Sequence, residues 1–509
     1  MQPCDAGAIA SRPAEAPCSA RAAPWVLAAT ILGSSLAFID GTVVNVALPA
    51  LQADLNATVV DVQWVIEAYA LLLAALLLVG GSLGDFYGRK RVYVAGVIVF
   101  AAASAFCGLA FDVKQLLVGR AVQGIGAALM VPGSLAILSA SFSERDRGRA
   151  IGTWSGFTAI TSAVGPVLGG WLIEHASWHW VFFVNLPLAL IVVVLTLVHV
   201  PESRSMQEGQ ALDWAGAVLA TVGLGGVVFA LIESSHRGWD TRVVSAALVG
   251  VFALIAFVAV EGRKTAPLLP IGLFRERNFT GANLLTLFLY SALSATLFFF
   301  PLNLIQVQGY TATAAASALF PFIALMFVLS RWSGKLVSRY GRRRPLLLGP
   351  IVASLGFALF AAPSTGGTYW ATFFPAVMVL GLGMAVSVAP LTTTVMNSVS
   401  QEHAGIASGI NNAVARLAAV LAIALFGIVM LGSFNRHLSR ELAGMNVSAE
   451  TRRQIDDQRI KLAGMTVPPE VRRSVDDSFI AGFRLVMLMS AGLGLASAAS
   501  TWLFIGDER

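Results

Sequence analysis

Two short basic segments decide the architecture of this chain: GSLGDFYGRKR at residues 81–91 and GKLVSRYGRRR at residues 334–344. Six of the eleven positions are identical, and each segment lies between two long apolar blocks. A weaker repeat pairs GRAIG at 148–152 with GIASG at 405–409. Both segments of the first pair join the second to the third helix of a six-helix set, so the pattern predicts two halves related by a parallel internal repeat.

Composition identifies the solvent of this chain as lipid. Hydrophobic residues make up 57% and charged residues 12% of its 509 positions, and the mean hydropathy is +0.76. Soluble domains carry about 25% charged residues, so this sequence could not cover a water-exposed surface. The apolar residues lie in blocks of about 20, the length that crosses a hydrocarbon core. We therefore predict an all-α polytopic membrane protein.

Fourteen apolar blocks predict fourteen spanning helices. They lie near 25–50, 61–83, 91–111, 114–138, 150–173, 178–199, 212–234, 241–261, 279–302, 313–332, 344–363, 368–394, 404–432 and 480–504. The repeat divides the chain into an N-terminal tail (1–24), a six-helix half (25–199), two inserted helices with their linkers (200–278), a second six-helix half (279–504, including the external loop 433–479) and a C-terminal tail (505–509).

Basic residues are distributed unevenly between the two sides. Short loops on one side contain the clusters near 89–91, 145–149, 263–277 and 335–344, whereas those on the other side contain only Lys114, Arg237 and Arg242. This asymmetry predicts a multi-pass protein of the cytoplasmic (inner) membrane with both termini in the cytoplasm. It also accounts for the net charge of +6 without nucleic acid as a partner. Long loops such as 433–479 do not obey the rule.

The external loop contains a second, local repeat. LAGMNVSAETRRQIDD at 442–457 recurs as LAGMTVPPEVRRSVDD at 462–477, with ten of sixteen positions identical. Its polar, helix-permissive composition predicts two short helices. Two interpretations stay open: a hairpin over the outer mouth of the protein, or a solvated spacer without a specific role.

Three ionisable residues lie within predicted spans of the first half: Asp40, Glu67 and Arg120. Each costs about 2.5–3.5 kcal/mol on insertion scales, so each calls for a partner or a function. All three fall roughly 9–15 Å below the outer helix ends and could share one polar region. Asp40 and Arg120 form either a structural ion pair or a site where a carboxylate beside a cation binds and releases a proton.

The second half has a different charge pattern. It has no Asp or Glu between residues 279 and 401, and its only deeply placed charge is Arg416. Arg416 either binds an anionic substrate or interacts with helix dipoles and backbone carbonyls. With Asn45 and Gln123, the residues Asp40, Glu67 and Arg416 are the candidates for lining a substrate cavity.

The fifth predicted span is rich in glycine. Gly152, Gly156, Gly165, Gly169 and Gly170 line it together with Pro166. Small residues at such spacing allow helices to approach closely, and proline loosens the backbone locally. The pattern indicates a closely packed, bendable contact between helices.

These segments together resemble the major facilitator superfamily, specifically its fourteen-span drug:proton antiporters of the EmrB/QacA type. The resemblance covers residues 25–505. Four motifs carry it: GSLGDFYGRKR (81–91), LVGRAVQGIG (117–126), GPVLGG (165–170), and Asp40 with the run Asn45–Pro49. Departures from the family pattern are Phe86, His179 and Glu67, and the last is a candidate for substrate selectivity.

The resemblance implies roles for these motifs. Gly81, Asp85, Gly88, Arg89 and Arg91 would form a conformational latch on the cytoplasmic side. Arg120 would take part in proton coupling with Asp40 and Glu67. The run containing Gly156, Gly165, Pro166, Gly169 and Gly170 would be the antiporter motif. No cofactor is implied, because the proton gradient would drive transport.

The function expected from this resemblance is proton-coupled export of lipophilic or cationic small molecules by alternating access. The alternative within the same fold is a dedicated exporter of one metabolite or antibiotic, and a different class is a non-transporting membrane sensor or scaffold. A membrane enzyme is disfavoured, since the six histidines have no metal-ligand spacing and no phosphate-binding loop is present. We therefore expect protons and membrane lipid as partners, and a periplasmic adaptor on 433–479 as an open possibility.

Overall fold

The computed structural model describes residues 22–506 except 143, 205–212, 265–266, 268, 270, 334–335, 367, 400–403 and 446. Most of the predicted N-terminal tail, part of the linker after residue 200 and the last three residues therefore lie outside the described chain. The α-helices are α1 (Ala23–Asp54), α2 (Val59–Tyr87), α3 (Arg89–Gly108), α4 (Val113–Ser141), α5 (Glu144–His175), α6 (Trp180–Phe183), α7 (Asn185–His199), α8 (Trp214–Arg237), α9 (Thr241–Glu261), α10 (Arg277–Leu302), α11 (Ala312–Ser317), α12 (Phe320–Ser333), α13 (Leu336–Tyr340), α14 (Arg343–Phe360), α15 (Tyr369–Thr372), α16 (Phe374–Asn397), α17 (Ala404–Ala443), α18 (Ala449–Gln458) and α19 (Pro469–Phe504).

Thirteen helical segments among the described residues are long and apolar enough to cross a membrane. Each coincides with one of the fourteen predicted spans. The remaining prediction, 150–173, falls within α5, where many side chains lie outside the described set. The predicted all-α polytopic architecture is confirmed, with about fourteen spans.

Two helices are longer than their predicted spans. The thirteenth span was expected to end near 432, but α17 continues to Ala443; the fourteenth was expected to begin near 480, but α19 begins at Pro469. The two extensions, with α18 and a 3₁₀ turn at Arg459–Gly464 between them, account for most of the segment 433–479. Its polar sequence is helical because it retains good helix formers such as Arg, Glu and Ala.

One compact unit comprises Met1–Val44, Val65–Leu224 and Phe252–Pro270. Helices α3 and α4 approach closely in it because glycines face each other: a Cβ on Gly126 would lie 2.6 Å from the Phe100 nitrogen, and one on Gly96 would lie 2.9 Å from the Gly126 oxygen. Tyr93, fully buried, donates its hydroxyl proton to the Ala29 carbonyl at 2.8 Å. These contacts fix α1, α3 and α4 against one another.

The other compact unit comprises Asn45–Trp64, Gly225–Val251 and Ile271–Arg509. It therefore contains the end of α1, the start of α2 and parts of α8 and α9 in addition to α10–α19. The Gln63 amide donates to the Ile423 carbonyl at 3.3 Å, and the Trp64 indole donates to Glu233 at 3.1 Å. The two six-helix halves inferred from the repeat stay a prediction, and this grouping places the connection between α1 and α2 in the second unit.

The duplicated loop has the same backbone feature in both copies. Gly88 has φ of 114° and Gly341, the equivalent residue, has φ of 76°. Only glycine adopts such angles without strain. The shared glycine in the Tyr-Gly-Arg core is therefore required by the turn that starts the next helix in each copy.

Candidate functional site

A buried polar cluster lies where α1, α3, α4 and α7 meet. Asp40 and Arg120, which the sequence singled out, form its centre: Arg120 Nη1 lies 2.6 Å from Asp40 Oδ2. Their side chains are 0% and 1% exposed. The structure therefore brings together two of the three predicted proton-coupling residues as a direct ion pair in a dry environment.

Gln123 completes a ring with this pair. Arg120 Nη1 donates to Gln123 Oε1 at 2.7 Å, and Gln123 Nε2 donates to Asp40 Oδ1 at 2.7 Å. Residues 120 and 123 share one face of α4 because they are three positions apart. Gln123, predicted as a cavity residue, is fully buried and here acts as the amide that orients both charges.

Two further members of the cluster were missed by sequence reasoning. Asn185 Nδ2 donates to Asp40 Oδ1 at 3.2 Å and to Ser104 Oγ at 2.9 Å. Gln123 Nε2 lies 3.3 Å from the same Ser104 oxygen. The only signal in the sequence is a polar residue inside an apolar block, which also fits ordinary helix packing. Their role becomes visible only when α3 and α7 are placed beside α1.

Arg120 is held on its other side by α2. Its Nε donates to the Val65 carbonyl at 2.9 Å, and its guanidinium lies 4.4 Å from the centroid of the Tyr69 ring. Tyr69 in turn donates to the Ala37 carbonyl of α1 at 3.4 Å. A cation over an aromatic face is stabilised when both are desolvated, so the guanidinium is fixed in its position.

Glu67 is buried but is not hydrogen-bonded to this cluster. Its side chain is 0% exposed, and neither carboxyl oxygen has a hydrogen-bond partner among the described residues. Among the three predicted proton-coupling residues, the structure pairs Asp40 with Arg120. A polar region shared by all three stays a prediction.

The glycines of α5 pack closely against α1, the helix that carries Asp40. A Cβ on Gly165 would overlap the Thr42 hydroxyl, and one on Gly169 would overlap a methyl group of Val43. Gly165, Pro166, Gly169 and Gly170, four of the five motif residues, are buried. The surroundings of the fifth, Gly156, lie outside the described set. The glycine-rich run therefore sets how closely α5 approaches α1 within two or three residues of Asp40.

The loop 81–91 forms a local network. Arg89 pairs with Asp85 at 2.8 Å, one helical turn away. Arg91 pairs instead with Glu202 at 3.5 Å, and Glu202 also accepts a hydrogen bond from the Lys90 backbone at 3.1 Å. Sequence reasoning missed Glu202, which lies over a hundred residues away.

The glycines of this loop differ in what surrounds them. A Cβ on Gly88 would lie 2.6 Å from the Glu202 carboxylate, so Gly88 is needed for space as well as for its positive φ. A Cβ on Gly81 would be 3.7 Å from Pro132, an ordinary contact. The carboxylate of Glu202 therefore sits on the turn itself.

The two remaining cavity candidates, Asn45 and Arg416, are half-buried and belong to the second unit. Asn45 lies on α1, five residues beyond Asp40, and Arg416 lies on α17. On α17, Asn411 donates to Asn283 at 3.1 Å and to Thr286 at 2.7 Å. These bonds connect α17 to α10 through two amides and a hydroxyl.

Comparison with known proteins agrees with these motifs. The model of the family described as Major Facilitator Superfamily matches residues 30–423. The tetracenomycin C resistance and export protein of Streptomyces glaucescens is 33% identical over 415 residues, covering 81% of this chain and 76% of that protein. The multidrug resistance protein Stp of Mycobacterium tuberculosis is 34% identical over 407 residues, covering 79% and 75%.

Solved structures show the same fold. A bacterial homologue of the human lysosomal transporter Spinster, in an inward-facing and unoccupied conformation, matches with a TM-score of 0.69 at 18% identity, covering 95% of this chain and 97% of that one. A D-xylose–proton symporter matches with a TM-score of 0.60 at 14% identity, covering 95% and 98%. At these identities the likeness concerns the fold alone.

The methylenomycin A resistance protein of Bacillus subtilis is a further relative, 32% identical over 411 residues, with 80% of this chain and 87% of that protein covered. The resemblance to fourteen-span drug antiporters, and the expectation of a transporter and not an enzyme, are confirmed by these relatives. This chain is a multi-pass membrane protein that belongs to the major facilitator superfamily.

Proposed function

We propose that this protein exports lipophilic drug molecules across the cytoplasmic membrane in exchange for protons, by alternating access. The proposal rests on two buried acids of the first unit, Asp40 and Glu67, which differ in their hydrogen-bond partners. Asp40 has a buried cation and two amides around it, whereas the carboxyl oxygens of the equally buried Glu67 have no hydrogen-bond partner in the described part of the chain. Membrane-embedded acids of this kind mark proton pathways in transporters.

Asp40 and Glu67 have different roles in this mechanism. Arg120 and the N–H groups of Gln123 and Asn185 surround the Asp40 carboxylate and hold it in place. A carboxylate with no partner costs several kcal/mol to bury, so Glu67 carries a proton while it is enclosed. Glu67 is therefore the group that binds a proton and releases it when water reaches it, and Asp40 with Arg120 holds the helices that control this access.

The proton gradient supplies enough free energy for this exchange. Moving one charge across 100 mV yields about 2.3 kcal/mol. A potential on the order of 150 mV therefore yields roughly 3.5 kcal/mol for one proton against a neutral drug, which sustains a concentration ratio of a few hundred-fold.

Transport into inverted membrane vesicles tests the proposal. Acidification of the vesicle lumen should drive uptake of a neutral lipophilic dye such as Nile red by the natural protein. Glu67→Gln should abolish proton-driven uptake while counterflow exchange of the dye persists. Full proton-driven transport by both Asp40→Asn and Glu67→Gln would contradict the proposed coupling.

A second candidate is a dedicated exporter of one neutral or anionic metabolite or antibiotic. It is favoured by the absence of Asp and Glu between 279 and 401 and by the half-buried cation Arg416. Arg416→Gln should weaken export of an anionic test compound more than tenfold and leave that of a neutral analogue within twofold. Equal export of cationic, neutral and anionic compounds would favour the multidrug function instead.

We also propose that both termini lie in the cytoplasm, as the distribution of arginine and lysine favours. The segment 433–479 would then face the outside, where a periplasmic adaptor could bind. Reporter fusions after residue 506 and within 433–479 should give opposite localisations, and the same localisation for both would contradict this topology.

A further inference from the structure

The two copies of the loop repeat have different backbone conformations despite the identical sequence Leu-Ala-Gly-Met. In the first copy, Leu442 and Ala443 form the last turn of α17. In the second copy, Leu462 has φ of 51° and ψ of −132°. A branched residue at positive φ is strained, and such strain persists only where surrounding contacts impose it. The contacts around Leu462 therefore decide its conformation, since its local sequence is helical elsewhere.

Those contacts bury the segment 461–465, which we call the strap. Leu462, Ala463 and Met465 are each at most 2% exposed. A Cβ on Gly464 would lie 3.1 Å from the side-chain amides of both Gln52 and Gln306. Gly464 does not have a positive φ, so the close approach of the strap to these amides is what favours glycine here.

Hydrogen bonds connect the strap to the outer end of α1 and α2. Gln52 Nε2 donates to the Lys461 carbonyl at 3.2 Å, and Lys461 Nζ donates to Asn56 Oδ1 at 2.5 Å. Gln52 is only 4% exposed. Asn56 itself is at positive φ, 49°, in the turn between α1 and α2.

The strap is also connected to the end of α10. Gln306 Nε2 donates to Gln52 Oε1 at 2.8 Å. Arg472 donates to the Gln306 carbonyl at 2.5 Å and to the Ala463 carbonyl at 2.9 Å. Gln306 belongs to a π-helical turn, Asn303–Val307, and such turns break the regular hydrogen-bond ladder and recur at functional sites.

We propose that the strap is a reversible clasp. It holds the outer ends of α1 and α2 against the π-helical turn Asn303–Val307, and it must release for the protein to open outward. The inference rests on the proposed alternating access. Two of its five hydrogen bonds join neutral groups and three are donated by the charged groups of Lys461 and Arg472. All of these groups exchange such bonds for bonds to water on exposure, so the clasp can open in each cycle. The strain at Leu462 favours release.

Cross-linking tests the clasp. Asn56→Cys and Lys461→Cys are combined in a chain that carries Cys4→Ser and Cys18→Ser, and Cys107 is kept because it is buried. A short, reducible bis-methanethiosulfonate replaces the length of the lysine side chain. The matched control joins Ser439→Cys to Arg459→Cys, since Arg459 donates to Ser439 Oγ at 2.8 Å in the same loop without involving α1.

The protein is cross-linked in detergent and reconstituted in liposomes with an imposed pH gradient. Transport of Nile red should fall more than tenfold when residues 56 and 461 are joined, and return on reduction. Joining 439 to 459 should leave transport within twofold. Full transport with residues 56 and 461 joined would overturn the proposal. Absence of transport before cross-linking would instead contradict the proposed function.

A second measurement does not depend on transport. Spin labels at residues 56 and 461 should give two distances in pulsed electron–electron double resonance, one short and one longer. The fraction of molecules with the longer distance should change with pH. The labels at 439 and 459 should give one distance throughout. A single short distance between 56 and 461 at every pH would overturn the clasp, whatever the protein transports.

Discussion

Arg120 Nη1 and Asp40 Oδ2 lie 2.6 Å apart, and both side chains are excluded from solvent. These residues are 80 positions apart in the sequence, on α4 and α1. A buried ion pair contributes little compared with well-packed apolar residues, but removal of one partner leaves an uncompensated charge. The pair therefore ties α1 to α4 in a way that no single substitution can preserve.

Asp40→Asn should destabilise the protein by about 3–5 kcal/mol, because Arg120 is left buried without a counter-charge. Arg120→Gln should have a similar effect for the opposite reason. The double variant should lose much less than the sum of the two, which thermal unfolding in detergent would measure as a double-mutant cycle. Additive losses would show that the two charges do not depend on each other.

Glu67→Gln should leave thermal stability unchanged or slightly raised, because the amide is a neutral isostere of a protonated, unbonded carboxyl. Its transport rate should lose its dependence on the proton gradient. Asp61→Asn is the control: Asp61 is an acid on the same helix, and its carboxylate accepts hydrogen bonds from Thr58 at 2.8 Å. That variant should keep the dependence. A gradient-driven Glu67→Gln protein would exclude Glu67 as the proton carrier.

Gly169→Ala should destabilise the contact of α5 with α1, because the new methyl group overlaps Val43. Overpacking of this kind costs about 1–3 kcal/mol. Adding Val43→Ala should restore part of the stability. Gly41→Ala is the control, since a Cβ there meets nothing within 4 Å. Thermal unfolding of the four proteins checks the prediction, and equal losses at 41 and 169 would refute it.

Gly88→Ala should destabilise the loop 81–91 for two reasons: the φ of residue 88 is 114°, and the Glu202 carboxylate would lie 2.6 Å from the new Cβ. The strain should amount to about 1–3 kcal/mol. Glu202→Ala in the same chain should relieve only the steric part. Gly84→Ala, whose Cβ would be 3.9 Å from Arg89, should be tolerated; the melting temperatures would reveal whether Gly84 and Gly88 differ.

Leu462→Gly should be less destabilising than Leu442→Gly, although both leucines are 1% exposed. Both variants lose a buried side chain. Glycine at 462 relieves the strained φ of 51°, whereas glycine at 442 weakens a helix by about 1 kcal/mol. The difference in melting temperature measures the strain in the strap, and a larger loss at 462 would indicate that its contacts outweigh that strain.

Local properties of the sequence were sufficient for the architecture. Apolar blocks of membrane-spanning length are recognisable one at a time, because a helix in lipid satisfies its own backbone. The repeated glycine, Gly88 and Gly341, was also recognisable from the sequence, because its positive φ is a conformation that glycine adopts without strain. Asp40, Glu67 and Arg120 were recognisable as unusual because charges are expensive in a membrane.

Tertiary structure decided which of these residues act together. The sequence treats Asp40 and Glu67 alike, yet Asp40 is hydrogen-bonded to Arg120, Gln123 and Asn185, whereas the Glu67 carboxyl oxygens have no hydrogen-bond partner among the described residues. Glu202 on the loop at Gly88 and Gln52 beside Gly464 are pairs separated by more than a hundred residues. Such contacts depend on how whole helices pack, and no pattern within one helix records its neighbour. The sequence by itself determined the helices and their charges, and the packing of those helices determined that Asp40, and not Glu67, has hydrogen-bond partners among the described residues.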